Sequence, residues 1–214
     1  MDEDISIINS NTRNEKIKNF FINNKKFLII ILTLIIMIVI SYFGYDEIQR
    51  NKNKNLALKY NNIIIKFELT NKTEVKNELI EIIYKKNPTY SPLALYFIID
   101  NEIQTTNEEI NNYFDVLINE TNLDKEVKNL IIYKKGLFNA DFETENNLIK
   151  ILKPIINSDS VWKSHALYLI AEYFIDKNQK QKAKEFFNQI ISNEKSNAKI
   201  VLESKRRLIR DFNE

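Results

Sequence analysis

Nineteen consecutive residues, Phe27 to Tyr45, carry no charge, and the run opens on Phe27-Leu28-Ile29-Ile30-Ile31-Leu32. As a helix rising 1.5 Å per residue it extends roughly 28 Å, close to the ~30 Å hydrocarbon core of a bilayer. Lys25 and Lys26 flank it on one side, and Tyr42 and Tyr45 sit near the other end, as side chains at a membrane interface do. A core helix of a soluble protein is seldom apolar all round for so long. A cleaved signal peptide is the stronger rival. Against it stand the bulky Ser41-Tyr42-Phe43-Gly44-Tyr45, where small residues would be needed for cleavage, and the long leading segment. The sequence therefore predicts an uncleaved transmembrane helix over 26–45, in contact with lipid through 27–45. A polar cytoplasmic tail over 1–25 would precede it, and a soluble domain over 46–214 would follow.

Orientation follows from the lysine and arginine balance. Arg13, Lys16, Lys18, Lys25 and Lys26 precede the span, whereas Arg50, Lys52, Lys54 and Lys59 follow it, after Asp46 and Glu47. The positive-inside bias places the N-terminus in the cytoplasm and the large domain outside. The acidic start, Asp2-Glu3-Asp4, reads as a solvated terminus.

The soluble part is expected to be all-α. Two glycines and three prolines in 214 residues leave little turn chemistry for a strand-rich fold. Helical periodicity runs on past Tyr45 through Ile48, Leu56, Leu58 and Ile63 to Phe67, so the anchor is expected to continue into the domain as one helix. Breaks then follow at Asn71-Lys72-Thr73, Asn87-Pro88-Thr89, Thr105-Thr106-Asn107, Asn122-Leu123-Asp124, Phe142-Glu143-Thr144, Asn157-Ser158-Asp159 and Asn178.

A period is visible between these breaks. The clearest unit places Ala171 and Phe174 on one helix, a turn at Asp176-Lys177-Asn178, then Ala183 and Phe187 on the next. Stepping back from Ala183 gives Leu148, Ile110 and Val75, at separations of 35, 38 and 35 residues, with Leu152, Phe114 and Leu79 four residues after each. Twelve residues before each stand Ala171, Gly136, Ile98 and Ile63. Small residues at such sites let paired helices approach closely. The repeat-packing candidates are accordingly Gly136, Leu148, Leu152, Ala171, Phe174, Ala183 and Phe187. A non-repeating helical bundle is the alternative.

This layout, with Val161-Trp162-Lys163-Ser164-His165-Ala166 opening the last clear repeat, resembles the YfgM-like, membrane-anchored tetratricopeptide proteins of Gram-negative bacteria. Ile63, Lys66 and Ile98 depart from the repeat consensus. The resemblance implies a degenerate tetratricopeptide domain in the periplasm, tethered to the inner membrane. It also implies an ancillary subunit of the SecYEG translocon that meets a membrane-bound periplasmic chaperone. It brings no catalytic motif.

No enzymatic constellation emerges from the residues themselves. Absence of cysteine excludes disulfides, thiolate metal sites and thiol nucleophiles. Gly44 and Gly136 are too isolated for a phosphate-cradling loop. A net charge of +2 implies no large basic surface for nucleic acid. His165, the only histidine, reads as a surface or interface residue. The carboxylates at Glu108-Glu109 and at Asp141, Glu143 and Glu145 read as helix-start charges, and Lys205-Arg206-Arg207-Arg210 as a solvated face. No catalytic, cofactor or metal residue is expected. The function read from the chain is a membrane-anchored protein-binding scaffold. An envelope or cell-division organiser, and a membrane-bound hydrolase using the acidic clusters, are the alternatives. Seven tyrosines (Tyr84, Tyr90, Tyr96, Tyr113, Tyr133, Tyr168 and Tyr173) are equally compatible with a core and with an interface.

Overall fold

A computed structural model describes residues 15–67 and 71–212. The acidic start and most of the expected tail lie outside the described residues. Ten helices and no strand occur among the described residues. They are α1 (15–23), α2 (Lys25–Lys66), α3 (Lys72–Tyr84), α4 (Tyr90–Asp100), α5 (Asn107–Glu120), α6 (Lys125–Asn139), α7 (Glu145–Ile156), α8 (Lys163–Asp176), α9 (Lys180–Ser192) and α10 (Ala198–Phe212). The chain divides between Asn55 and Leu56 into two compact units.

The first unit is dominated by the apolar part of α2. Its most hydrophobic stretch has a mean hydropathy of 2.9, and none of it is buried. A core helix would hide this surface, because each exposed Leu or Ile forgoes roughly 1.5–3 kcal/mol of burial. One helix is thus long and apolar enough to cross a membrane. It runs without a break from Lys25 to Lys66, as the periodicity past Tyr45 predicts.

The second unit begins with the last turns of α2, where Leu56, Tyr60 and Ile63 join the core, followed by Phe67 just past the helix end. From α3 to α10 each helix packs on the next, and α3 also packs on α5, α6 on α8, and α8 on α10. The core is a strip of two clusters, one centred on α3 to α5 and one on α7 to α9. Neighbouring residues of α6 serve both, Ile131 the first and Ile132 the second, and Ile118 of α5 packs against each.

Local chemistry explains where these helices start and stop. Asn71, Thr106 and Thr144 are N-caps whose side chains accept from the backbone N–H of Thr73, Glu109 and Asn147. At Thr106 the carboxylate of Glu109 also accepts from the cap's own N–H at 2.9 Å, completing a capping box. Gln179, N-cap of α9, follows the same spacing without a side-chain cap bond. Glu102 and Asn178 end α4 and α8 with positive φ, 49° and 58°. The next residues donate back across the turn, Ile103 to Ile98 O and Gln179 to Phe174 O, as in a Schellman motif. All seven breaks read from the sequence mark gaps between helices, although Lys72 and Thr73 already open α3 and Asn107 opens α5. An eighth, Asn193 to Asn197, separates α9 from α10 and carries neither Gly nor Pro.

Candidate functional site

The seven repeat-packing candidates all lie inside the second unit. Leu148, Leu152, Ala171, Ala183 and Phe187 have no exposed surface, Phe174 has almost none, and Gly136 is buried. A Cβ placed on Gly136 would stand 2.9 Å from Cγ of Leu152 and closer still to its Cδ2. The glycine thus marks a close approach of α6 to α7. Phe174 stacks on Phe186, and Phe187 meets Tyr168 and Phe212 edge-on. The other positions of the same register, Ile63, Val75, Leu79, Ile98, Ile110 and Phe114, are buried too. These residues hold the helices together.

Two displayed surfaces stand out. One runs across α4, α6 and α8. The Lys134 ammonium lies over the Tyr96 ring, 4.3 Å from its centre. On the adjoining residue, the Tyr133 ring stacks on Trp162 at 5.9 Å, and His165 packs against both. All five side chains are half-buried, whereas the neighbouring Val161 is 65% exposed. Burial raises the pKa of Tyr96 and Tyr133 and lowers that of His165, with the Val161 backbone opposing the last effect. The Tyr96 hydroxyl is enclosed and finds no hydrogen-bond partner among the described residues.

The other surface is an open groove of about 640 Å³ between α5 and α7. Asn107, Glu108 and Asn111 line one wall, Asn147, Lys150 and Ile151 the other, and exposed Phe142 stands in the connecting loop. Its α5–α6 wall is stiffened by a polar seam. Fully buried Asn139 and half-buried Asn111 exchange amide hydrogen bonds of 2.8 and 2.9 Å, and Lys135 reaches Asp115 at 2.7 Å. Neither amide leaves a core group unpaired, so this buried pair restricts how α5 and α6 dock.

Three of the carboxylates considered for chemistry, Glu109, Glu143 and Glu145, have structural partners. Glu109 serves the Thr106 cap and approaches Lys76 at 3.4 Å, which holds its pKa below the usual carboxylate range, the cap backbone contributing most. Glu143 accepts from Asn147, and Glu145 binds Lys182 at 2.7 Å. No group of three or more His, Asp or Glu side chains among the described residues is placed to hold a metal ion. The basic run of α10 differs from a solvated face at one residue. Arg207 is only 14% exposed, clamped at 2.8 Å to Glu172 of α8 and at 3.1 Å to Asp211. Spacing alone missed it, although Glu172 and Arg207 are 35 residues apart, one period of the pattern.

The chain matches no protein-family model, no curated protein and no solved structure.

Proposed function

We propose that the protein is a membrane-anchored helical-repeat scaffold that binds other proteins beside the bilayer. The observation that carries this reading is a spacing shared by six long-range polar contacts, whereas Lys59–Glu81, Asp115–Lys135 and Asn111–Asn139 join successive helices at shorter range. Lys76–Glu109, Glu126–Ser160, Glu145–Lys182, Asp159–Lys195, Ser164–Asn197 and Glu172–Arg207 each join residues 33 to 37 apart in sequence. Each contact therefore reaches one helix pair along the chain, the quasi-one-dimensional connectivity of a solenoid. The N-caps Asn71, Thr106, Thr144 and Gln179 repeat at the same spacing as the buried positions. On this reading α4, α6 and α8 present the Tyr96–Tyr133–Trp162 surface to a partner. Aromatic side chains with polar tips suit it to protein recognition.

The exposed apolar stretch of α2 supports a single span in the bacterial inner membrane. The charge bias supports a cytoplasmic N-terminus and a periplasmic domain. Holding the binding surface at the membrane raises its effective concentration towards membrane partners, so weak contacts suffice. With the resemblance to the YfgM-like family, this makes an ancillary role at the SecYEG translocon, without catalysis, the reading we favour.

Photo-crosslinking in native membranes tests it. A benzophenone side chain at Val161 or at Phe142 is expected to capture translocon subunits or a membrane-bound periplasmic chaperone. The same group at Lys205, exposed on α10, is the control. Division proteins captured in place of translocon subunits, or no protein adduct from Val161 or Phe142, would overturn the proposal.

A further inference from the structure

The uncharged run begins at Phe27, yet among the described residues apolar exposure begins ten residues earlier. In α1, Ile17, Phe20, Phe21 and Ile22 are 47–60% exposed. Ile17, Phe20 and Phe21 are spaced as neighbours on one helix face. Lysines bracket them: Lys16 and Lys18 on one side, Lys25 and Lys26 on the other. Glu15 is the only acidic residue between positions 15 and 45. Helical hydrogen bonding also passes through the junction with α2. Asn24 N–H donates to Phe20 O at 3.0 Å, and Leu28 N–H donates to Asn24 O at 2.9 Å. The Asn24 side-chain amide donates to the same Phe20 carbonyl at 2.9 Å, so that oxygen accepts twice at the junction.

From these observations we infer that α1 is a lipid-binding element whose partner is the anionic phospholipid of the leaflet that α2 enters. The inference rests on the reading of α2 as a transmembrane span. At 1.5 Å per residue Phe20 and Phe21 lie roughly 10 Å along the helix from Phe27, at the depth of the headgroup layer once the helix tilts. Aromatic rings are favoured there, and lysines on either side extend their ammonium groups to lipid phosphates. The charge pattern selects anionic lipid over zwitterionic lipid, since each lysine near an anionic surface favours it by about fivefold. Phe20 and Phe21 are edge-on at 6.0 Å, so the pair enters the headgroup layer as one wedge.

The test uses the full chain in bilayers of one part phosphatidylglycerol to three parts phosphatidylcholine. Trp162→Phe removes the only native tryptophan, and Phe20→Trp places an indole on α1. Bromine is carried on the acyl chains of one lipid or the other. Brominated phosphatidylglycerol is expected to quench this indole at least about twofold more, per mole, than brominated phosphatidylcholine. Lys16→Gln, Lys18→Gln, Lys25→Gln and Lys26→Gln together should abolish the preference. Equal quenching by both lipids, or emission as in water with no quenching, would overturn the inference. Tyr42→Trp in the same Trp162→Phe background separates the two claims. Its quenching by both lipids upholds the span even where α1 fails, and its lack of quenching removes the span and the inference together.

Discussion

Replacing Gly136 with alanine isolates the close approach of α6 to α7. The added Cβ would sit 2.9 Å from Leu152 Cγ, well inside the ~3.5–4.0 Å optimum for two carbons. Leu152 has no exposed surface and belongs to the cluster that contains Leu148, Ile155 and Ile170, so it has no open space to enter. Overpacking of this kind costs about 1–3 kcal/mol. Alanine returns about 1 kcal/mol of helix propensity. The net expectation is destabilisation by about 1 kcal/mol. Leu152→Ala alone should cost about 2–5 kcal/mol through lost burial and the cavity it leaves. In that background the clash is gone, so Gly136→Ala should stabilise by about 1 kcal/mol. Urea unfolding of the full chain in detergent micelles, followed at the single tryptophan Trp162, measures all four corners of this cycle. A Gly136→Ala effect of the same sign and size in both backgrounds would refute the reasoning. So would stabilisation of the wild type.

Three further outcomes rest on single residues. Glu102 has φ 49°, a conformation costly for a side chain that is neither Asn nor Asp, so Glu102→Gly should stabilise by about 0.5–1 kcal/mol in the same urea assay. Lys150→Gly, in the body of α7, should instead cost about 1 kcal/mol. Burial holds the pKa of His165 below the 6.5 of a free imidazole, so just below pH 6.5 the unfolded chain binds a proton that the folded chain does not. Its contribution is complete above pH 6.5 and is lost as pH falls through the lower folded value. Titration of the single histidine ring by NMR should show the depressed pKa, and His165→Phe should remove that part of the stability slope.

What could be read from the chain, and what could not, divides along one physical line. Positions fixed by apolar periodicity were legible: Val75, Leu79, Ile110, Phe114, Leu148 and Leu152 are all buried where the spacing put them. Tyrosine was not, because its ring favours burial while its hydroxyl favours water. Tyr113 and Tyr173 are in the core, Tyr84 is 52% exposed, and Tyr96 and Tyr133 are half-buried on a displayed surface. Asn139 was equally silent. Asparagine is so frequent in this chain that one buried, paired amide has no signature in sequence. Arg207 was hidden by its neighbours Lys205, Arg206 and Arg210. A run of like charges reads as solvated until a partner such as Glu172 is seen across the helix pair.

The departures from a repeat consensus concern size more than register. At the close-approach position the chain has Ile63, Ile98, Gly136 and Ala171, and all four are buried. Twelve residues later stand Val75, Ile110, Leu148 and Ala183, buried as well. Burial at these positions therefore persists where the side chain is large. The spacing of packed helix axes, 8–10 Å, follows the side chains at their contact. On the repeat reading, a small residue such as Gly136 or Ala171 suits a close helix approach, whereas isoleucine, as at Ile63 and Ile98, suits a wider one. A core packed to constant density accepts either solution. On the repeat reading, a consensus match weakens towards α2 because volume has been redistributed across the helix pairs, while the hydrogen-bonded caps and the polar contacts one pair apart preserve the architecture that the consensus was meant to detect.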